Sequence, residues 1–207
     1  MYDLTDITTE NLSRAATYRF LAGVFGTEVN ATFLQSATSG ELRQLLDDLQ
    51  CEADLKDAVD LLKFNLDQRS HDASAIMDLR VIFSSLFLGA GGRKSAPPYA
   101  SYYATEKTSL SHACVAEIET TYRKHQLAPH QNFSEPADHI AAMLSFCSEL
   151  ALQPTQQAEL KAFLQTHLKT FSQGFSEDCS SYDKDGFYLA CANLLRALIE
   201  RDLSTLH

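Results

Sequence analysis

An acid, an imidazole and a proline stand together in Glu135-Pro136-Ala137-Asp138-His139. These residue types can do two kinds of chemistry: a carboxylate beside an imidazole can move protons, and carboxylates can hold arginine through charge-assisted hydrogen bonds. Proton transfer needs both groups on one face. The apolar residues that follow, Ile140, Met143, Leu144, Cys147 and Leu150, keep helical spacing, and neighbours on a helix point about 100° apart. Asp138 and His139 therefore make no preformed dyad. Pro136 suits a first helical turn, Ser134 or Glu135 is the expected cap, and Asp138, as a first-turn acid, faces the positive end of the backbone dipole. The pattern is that of a recognition point or hinge anchor at the mouth of a packed helix. A plain helix start accounts for the same residues.

Other candidate chemistry is weaker. Gly89-Ala90-Gly91-Gly92-Arg93-Lys94-Ser95 ends in Lys-Ser after glycines, but a phosphate-binding loop needs glycine directly before that lysine and a strand leading in. Arg93 stands in that place and a helical pattern precedes it. The seven histidines lack ligand spacing, and His112-x-Cys114 is an isolated pair, so no metal site is expected. A hydrolase built on Asp138 and His139 would need a nearby nucleophile, and Ser134 is the close one; it reads better as a cap. Cys51, Cys114, Cys147, Cys179 and Cys191 are odd in number, without a C-x-x-C pair, and read as reduced thiols in a cytoplasmic protein.

The elements that position these groups are helical throughout. Apolar residues at 3.6-residue spacing predict helices ending at Gly26 and Gly89, short ones around Phe33 and over Leu42–Leu49, and another over Leu55–Leu66. Further helices are expected near Ser111–His125, from Ile140, from Pro154-Thr155 through Phe171, and over about Gly186–Leu203. Gly89 is the expected left-handed cap. No run alternates as a strand does. The fold class is all-α, with about nine to ten helices in two closely packed halves: residues 1–125, a linker or hinge at 126–134, and residues 135–207.

With 207 residues and 45% hydrophobic content, the chain can bury a sizeable core. Its net charge of −10 is shared evenly between the halves of the sequence. That balance repels nucleic-acid phosphate and anionic lipid and favours a basic partner. The N-terminus, Met1-Tyr2-Asp3-Leu4-Thr5-Asp6, is acidic and leads into no apolar run, so neither a signal peptide nor membrane insertion is expected.

Three blocks together carry a resemblance. Glu135-Pro136-x-Asp138-His139-Ile140 before an apolar helix, Leu86-Phe87-x-Gly89 followed by Pro98-Tyr99-Ala100-Ser101-Tyr102-Tyr103, and Tyr182-Asp183-Lys184-Asp185-Gly186-Phe187-Tyr188 before a last helix resemble the TorD/DmsD family. Its members are cytoplasmic chaperones of molybdenum oxidoreductases exported by the twin-arginine route. The third block is similar to the TorD branch in particular, and the resemblance reaches back to Tyr18-Arg19-Phe20-Leu21. The chain departs from the family in lacking tryptophan, with Tyr99, Phe171 and Phe175 in positions where relatives often carry it, and in an apparent insertion at Thr105–Ser111.

The resemblance implies a non-enzymatic protein, a monomer or a homodimer formed by exchange of halves. It binds the twin-arginine signal peptide and apo form of a molybdopterin-containing reductase, of the trimethylamine N-oxide reductase type for the TorD branch. A dimethyl sulfoxide reductase or formate dehydrogenase type of client is the alternative. No cofactor is implied for the chaperone itself, and the weak guanine-nucleotide binding proposed for the family has no motif here. Peptide binding needs an apolar concavity with aromatic walls and a few polar anchors. The expected set is Glu135, Pro136, Asp138 and His139, with Leu86, Phe87, Pro98, Tyr99, Ser101, Tyr103 and, more weakly, Tyr18. Packing in an ordinary core is the competing reading for the aromatic members.

Overall fold

A computed structural model describes residues 7–69, 74–92, 94–104, 112–126 and 134–206. The residues described are helical without a strand. They form α1 (Thr9–Gly26), α2 (Ala31–Ser39), α3 (Glu41–Leu49), α4 (Lys56–Arg69), α5 (Ala75–Phe87), α6 (Ala100–Tyr103), α7 (His112–Lys124), α8 (Ile140–Ala151), α9 (Gln157–Phe163), α10 (Lys169–Tyr182) and α11 (Phe187–Thr205). A 3₁₀ turn at Pro154–Gln156 leads into α9, and a π-helical turn at Leu164–Leu168 joins α9 to α10. Counting that joined rod once, the described residues form ten helices.

Two compact units are built from interleaved stretches of chain. The first comprises the described residues of Met1–Gly26, Pro98–Phe171 and Leu206–His207, and the second those of Thr27–Pro97 and Ser172–Thr205. The sequence reading instead draws consecutive halves about a hinge at 126–134. Residues 127–133 of that hinge, and Thr105–Ser111, lie outside the described residues.

In the first unit α1 packs along α8. Helix α8 buries ten of its twelve residues, from Ile140 through Met143, Phe146 and Cys147 to Ala151, leaving only the Ser145 and Glu149 side exposed, as a helix apolar around most of its circumference must. The contact is close at Gly26, where a Cβ would stand 2.9 Å from the Ala141 Cβ. The Ser148 hydroxyl donates to the Ala15 carbonyl at 2.9 Å. Tyr122, Phe146 and Phe163 complete this core, with ring centroids 4.8 Å apart in the two successive pairs.

The second unit packs α11 against α4 and gathers aromatics around α5. Phe87 lies 5.8 Å from Phe175, stacked, and 5.1 Å from Tyr188, edge to face. Gly89 adopts φ +79° after α5, the left-handed conformation that glycine takes without a Cβ penalty. Before α11, the Asp183 carboxylate accepts the Leu189 N–H at 2.8 Å. The Tyr182–Tyr188 block thus helps to start the last helix.

Candidate functional site

The residues before α8 and those around α6 form one junction in the first unit. Tyr99 and His139 make an isolated antiparallel bridge; the Ile140 N–H donates to the Pro98 carbonyl at 2.8 Å and the Ala100 N–H to the Asp138 carbonyl at 3.0 Å. The Asp138 side chain continues this lock. Its Oδ2 accepts the Ser101 N–H at 3.0 Å across 37 residues of chain, so it satisfies an orphan donor at the start of α6.

Local expectations for α8 are corrected here. The helix begins at Ile140, and its N-cap is His139, whose Nδ1 accepts the Ala141 N–H at 3.1 Å. Neither Ser134 nor Glu135 caps it. Pro136 stands outside the first turn and accepts the His139 N–H through its carbonyl at 3.0 Å. Asp138 likewise precedes the helix. Extended φ/ψ at His139, −64° and 134°, is the usual backbone of a cap, and the bridge to Tyr99 holds it there.

Burial separates the candidates. Asp138 is 1% and His139 5% exposed, and Pro98, Ser101 and Tyr103 are buried as well, whereas Glu135 and Pro136 are exposed and Tyr99 is half-buried. The Tyr99 hydroxyl donates to Glu135 Oε2 at 2.8 Å, and its ring meets the His139 ring edge to face at 5.3 Å. Tyr18 is fully buried in α1, and Leu86 and Phe87 belong to the core of the second unit.

Electrostatics follow from that burial. Desolvation lowers the His139 pKa, against the opposing pull of Glu135 and Asp138, so the imidazole is held neutral and can keep its cap bond. Burial first, then the bond to Glu135, raises the Tyr99 phenol. Burial also pushes the Cys114 thiol up to about 11, with the Asp138 and Glu117 charges adding to the shift. Burial thus favours the neutral form of each of these groups. Among the described residues no group of histidines, cysteines and carboxylates has the makings of a metal site.

Tyr122, within the helix expected near Ser111–His125, is a member that the sequence did not single out. Its hydroxyl donates to the Ala137 carbonyl at 2.9 Å, which fixes the segment between Pro136 and His139. Helical periodicity marks Tyr122 for the core, but nothing in it marks that partner. The arrangement as a whole joins two distant loops through main-chain bonds and presents one carboxylate, Glu135, over a tyrosine.

Known proteins resemble the chain over nearly its whole length. The nitrate reductase delta subunit family matches residues 34–177. A chaperone protein TorD from Aliivibrio fischeri is 31% identical over 98% of this chain and 99% of its own. Its counterpart from Vibrio cholerae serotype O1 is 33% identical over 93% and 91%, and that from Shewanella loihica 30% over 97% and 96%.

Proposed function

This chain belongs to the nitrate reductase delta subunit family, as a chaperone of the TorD type, and we propose on that footing that it matures a molybdopterin-containing reductase in the cytoplasm. It binds the twin-arginine leader and the apo form of that client and releases them once the cofactor is in place. The observation that carries this reading is relationship to TorD chaperones from end to end of both chains. For the client, the TorD branch points to a trimethylamine N-oxide reductase.

Physical chemistry agrees with such a partner. A net charge of −10 attracts a leader that carries two arginines and repels polyanions. Binding shields the leader's apolar segment from aggregation, and a folded client that no longer offers the same contacts is released by mass action. In the junction, Glu135 and Tyr99 are the groups a client can reach. Asp138, His139 and Ser101 serve by holding them in register.

Copurification tests the reading. The chaperone is expected to retain an unprocessed molybdoenzyme precursor, and to lose it when the leader arginines and apolar segment are replaced. Equal retention of the altered precursor would sink the proposal. Exchange of leaders between trimethylamine N-oxide, dimethyl sulfoxide and formate dehydrogenase precursors decides the client.

A further inference from the structure

The outer face of α5 carries apolar side chains where a surface helix ordinarily carries polar ones. Met77, Val81 and Leu88 are 62%, 63% and 64% exposed, although Leu79, Phe83, Leu86 and Phe87 already bury the opposite face. On a helical projection the three exposed residues fall within about 40° of one another, and they span about 16 Å along the axis. They form one stripe. Ser84 lies at the edge of this stripe and Asp78 and Arg80 flank it, so it is a narrow apolar band on a mixed face. On α4, Phe64 is 62% exposed and Leu61 is exposed as well.

A cavity of about 270 Å³ lies beside the first turn of α5, with Phe64, Asn65, Gln68, Arg69, Asp78 and Asp185 in its wall. Asp78 follows Met77 directly and precedes Val81 by one turn, so cavity and stripe share a border. Charge in the wall does not cancel. Arg69 is bonded to Asp185, while the Asp78 carboxylate accepts the Ser74 hydroxyl at 2.7 Å and has no ion pair among the described residues. One negative charge is left over. The Gln68 amide makes no hydrogen bond among the described residues, and the exposed Phe64 ring offers a face on which a cation can lie.

We propose that α4 and α5 form the leader-binding face: Asp78, Gln68 and Phe64 take an arginine guanidinium, and Met77, Val81 and Leu88 take the apolar segment next to it. This rests on the leader-binding function proposed above and gives it a place. A guanidinium fits better than an ammonium because its planar fork can bond a carboxylate and an amide oxygen together while stacking on a ring. A second copy of the chain fits worse, since each copy carries a net charge of −10 and like charges oppose association.

Calorimetry of the full chain with a synthetic twin-arginine leader peptide tests the assignment. Asp78→Asn is expected to weaken binding by about tenfold, the worth of a charge-assisted bond, and to abolish the preference for arginine over glutamine in the leader. A Val81→Ser, Leu88→Ser double variant is expected to weaken every leader by about tenfold or more, from lost apolar burial, with its thermal melt unchanged. If the wild-type chain binds the leader and these variants bind it equally well, the face is wrong and the leader-binding function stands. If the wild-type chain binds no leader, both fall. Should the variants alter only a monomer–dimer equilibrium, the stripe is an interface between copies and the assignment is overturned.

Discussion

Two stretches of this chain depart from the usual division between a polar outside and an apolar inside, and they do so in opposite directions. At the junction before α8, Asp138 and His139 are buried and bonded to backbone N–H groups. On the outer face of α5, Met77, Val81 and Leu88 stand in water. A buried carboxylate is tolerated only where hydrogen bonds replace its hydration, so the first departure holds structure together. An exposed apolar stripe gains nothing for a lone chain, and covering it is what the leader-binding proposal asks of α5. The Asp138-His139 block thus organises the fold, whereas α5 exposes apolar side chains, of which only Leu88 falls within a motif block, at its variable position.

The sharpest test of this contrast lies at adjacent positions. Phe87 packs against Phe83, Phe175 and Tyr188, so Phe87→Ala should cost about 3–5 kcal/mol from lost burial and a cavity. Leu88→Ser, one residue on and 64% exposed, should stay within about 0.5 kcal/mol. Urea denaturation of the two variants measures both. Similar losses would mean that Leu88 is packed and that α5 has no free stripe.

Next in size is Asp138→Ala. It leaves the buried Ser101 N–H without its acceptor, at a cost of about 1–3 kcal/mol, and should lower the melting temperature before any client is added. A melt equal to wild type would show that Asp138 is dispensable to the junction and free to serve recognition.

His139 gives a smaller effect with a definite pH dependence. Burial lowers its folded-state pKa below the unfolded value near 6.5, so between the two values the unfolded chain binds more protons and stability rises with pH. The stabilisation is full above about pH 6.5 and is lost as pH falls towards the folded pKa. His167, also lowered by burial, contributes with the same sign. His139→Asn keeps a favourable cap and should flatten part of this acid loss in melts followed from pH 7.5 to 5. An unchanged slope would assign the loss elsewhere.

The helices were legible because burial on one face writes a 3.6-residue period into the residues, as in Leu55, Val59, Leu62 and Leu66 of α4 and its flank. Gly89 was legible because a left-handed residue closes many helices. The start of α8 was not. Local rules favour Ser134 or Glu135 as cap and Pro136 in the first turn, but Pro98, Ala100 and Ser101 supply partners to Asp138 and Ile140 from outside that window. Tertiary hydrogen bonds set the boundary. Periodicity also cannot say which apolar helix position is buried: Phe87 is and Phe64 is 62% exposed, though both are phenylalanines within helical patterns. Nor does it say which helices pair, so the close approach of α1 to α8 at Gly26 and Ala141 had no mark in either segment.

The smallest expected change in stability belongs to the exposed rim of the junction, and it separates holding from contact most cleanly. Tyr99 donates to Glu135 at a site open to solvent, where water can replace either partner. Glu135→Gln and Tyr99→Phe should therefore each cost about 0.5–1 kcal/mol or less. Yet both alter what a client meets: Glu135→Gln removes the carboxylate, and Tyr99→Phe frees it from its tether. If the rim touches the client, Glu135→Gln should lower the yield of mature reductase several-fold with the melt nearly unchanged, and Tyr99→Phe should do less because the charge remains. Maturation assays run beside thermal melts decide this. Wild-type yields from both variants would leave the junction a purely structural lock, with client contact confined to surfaces such as α5.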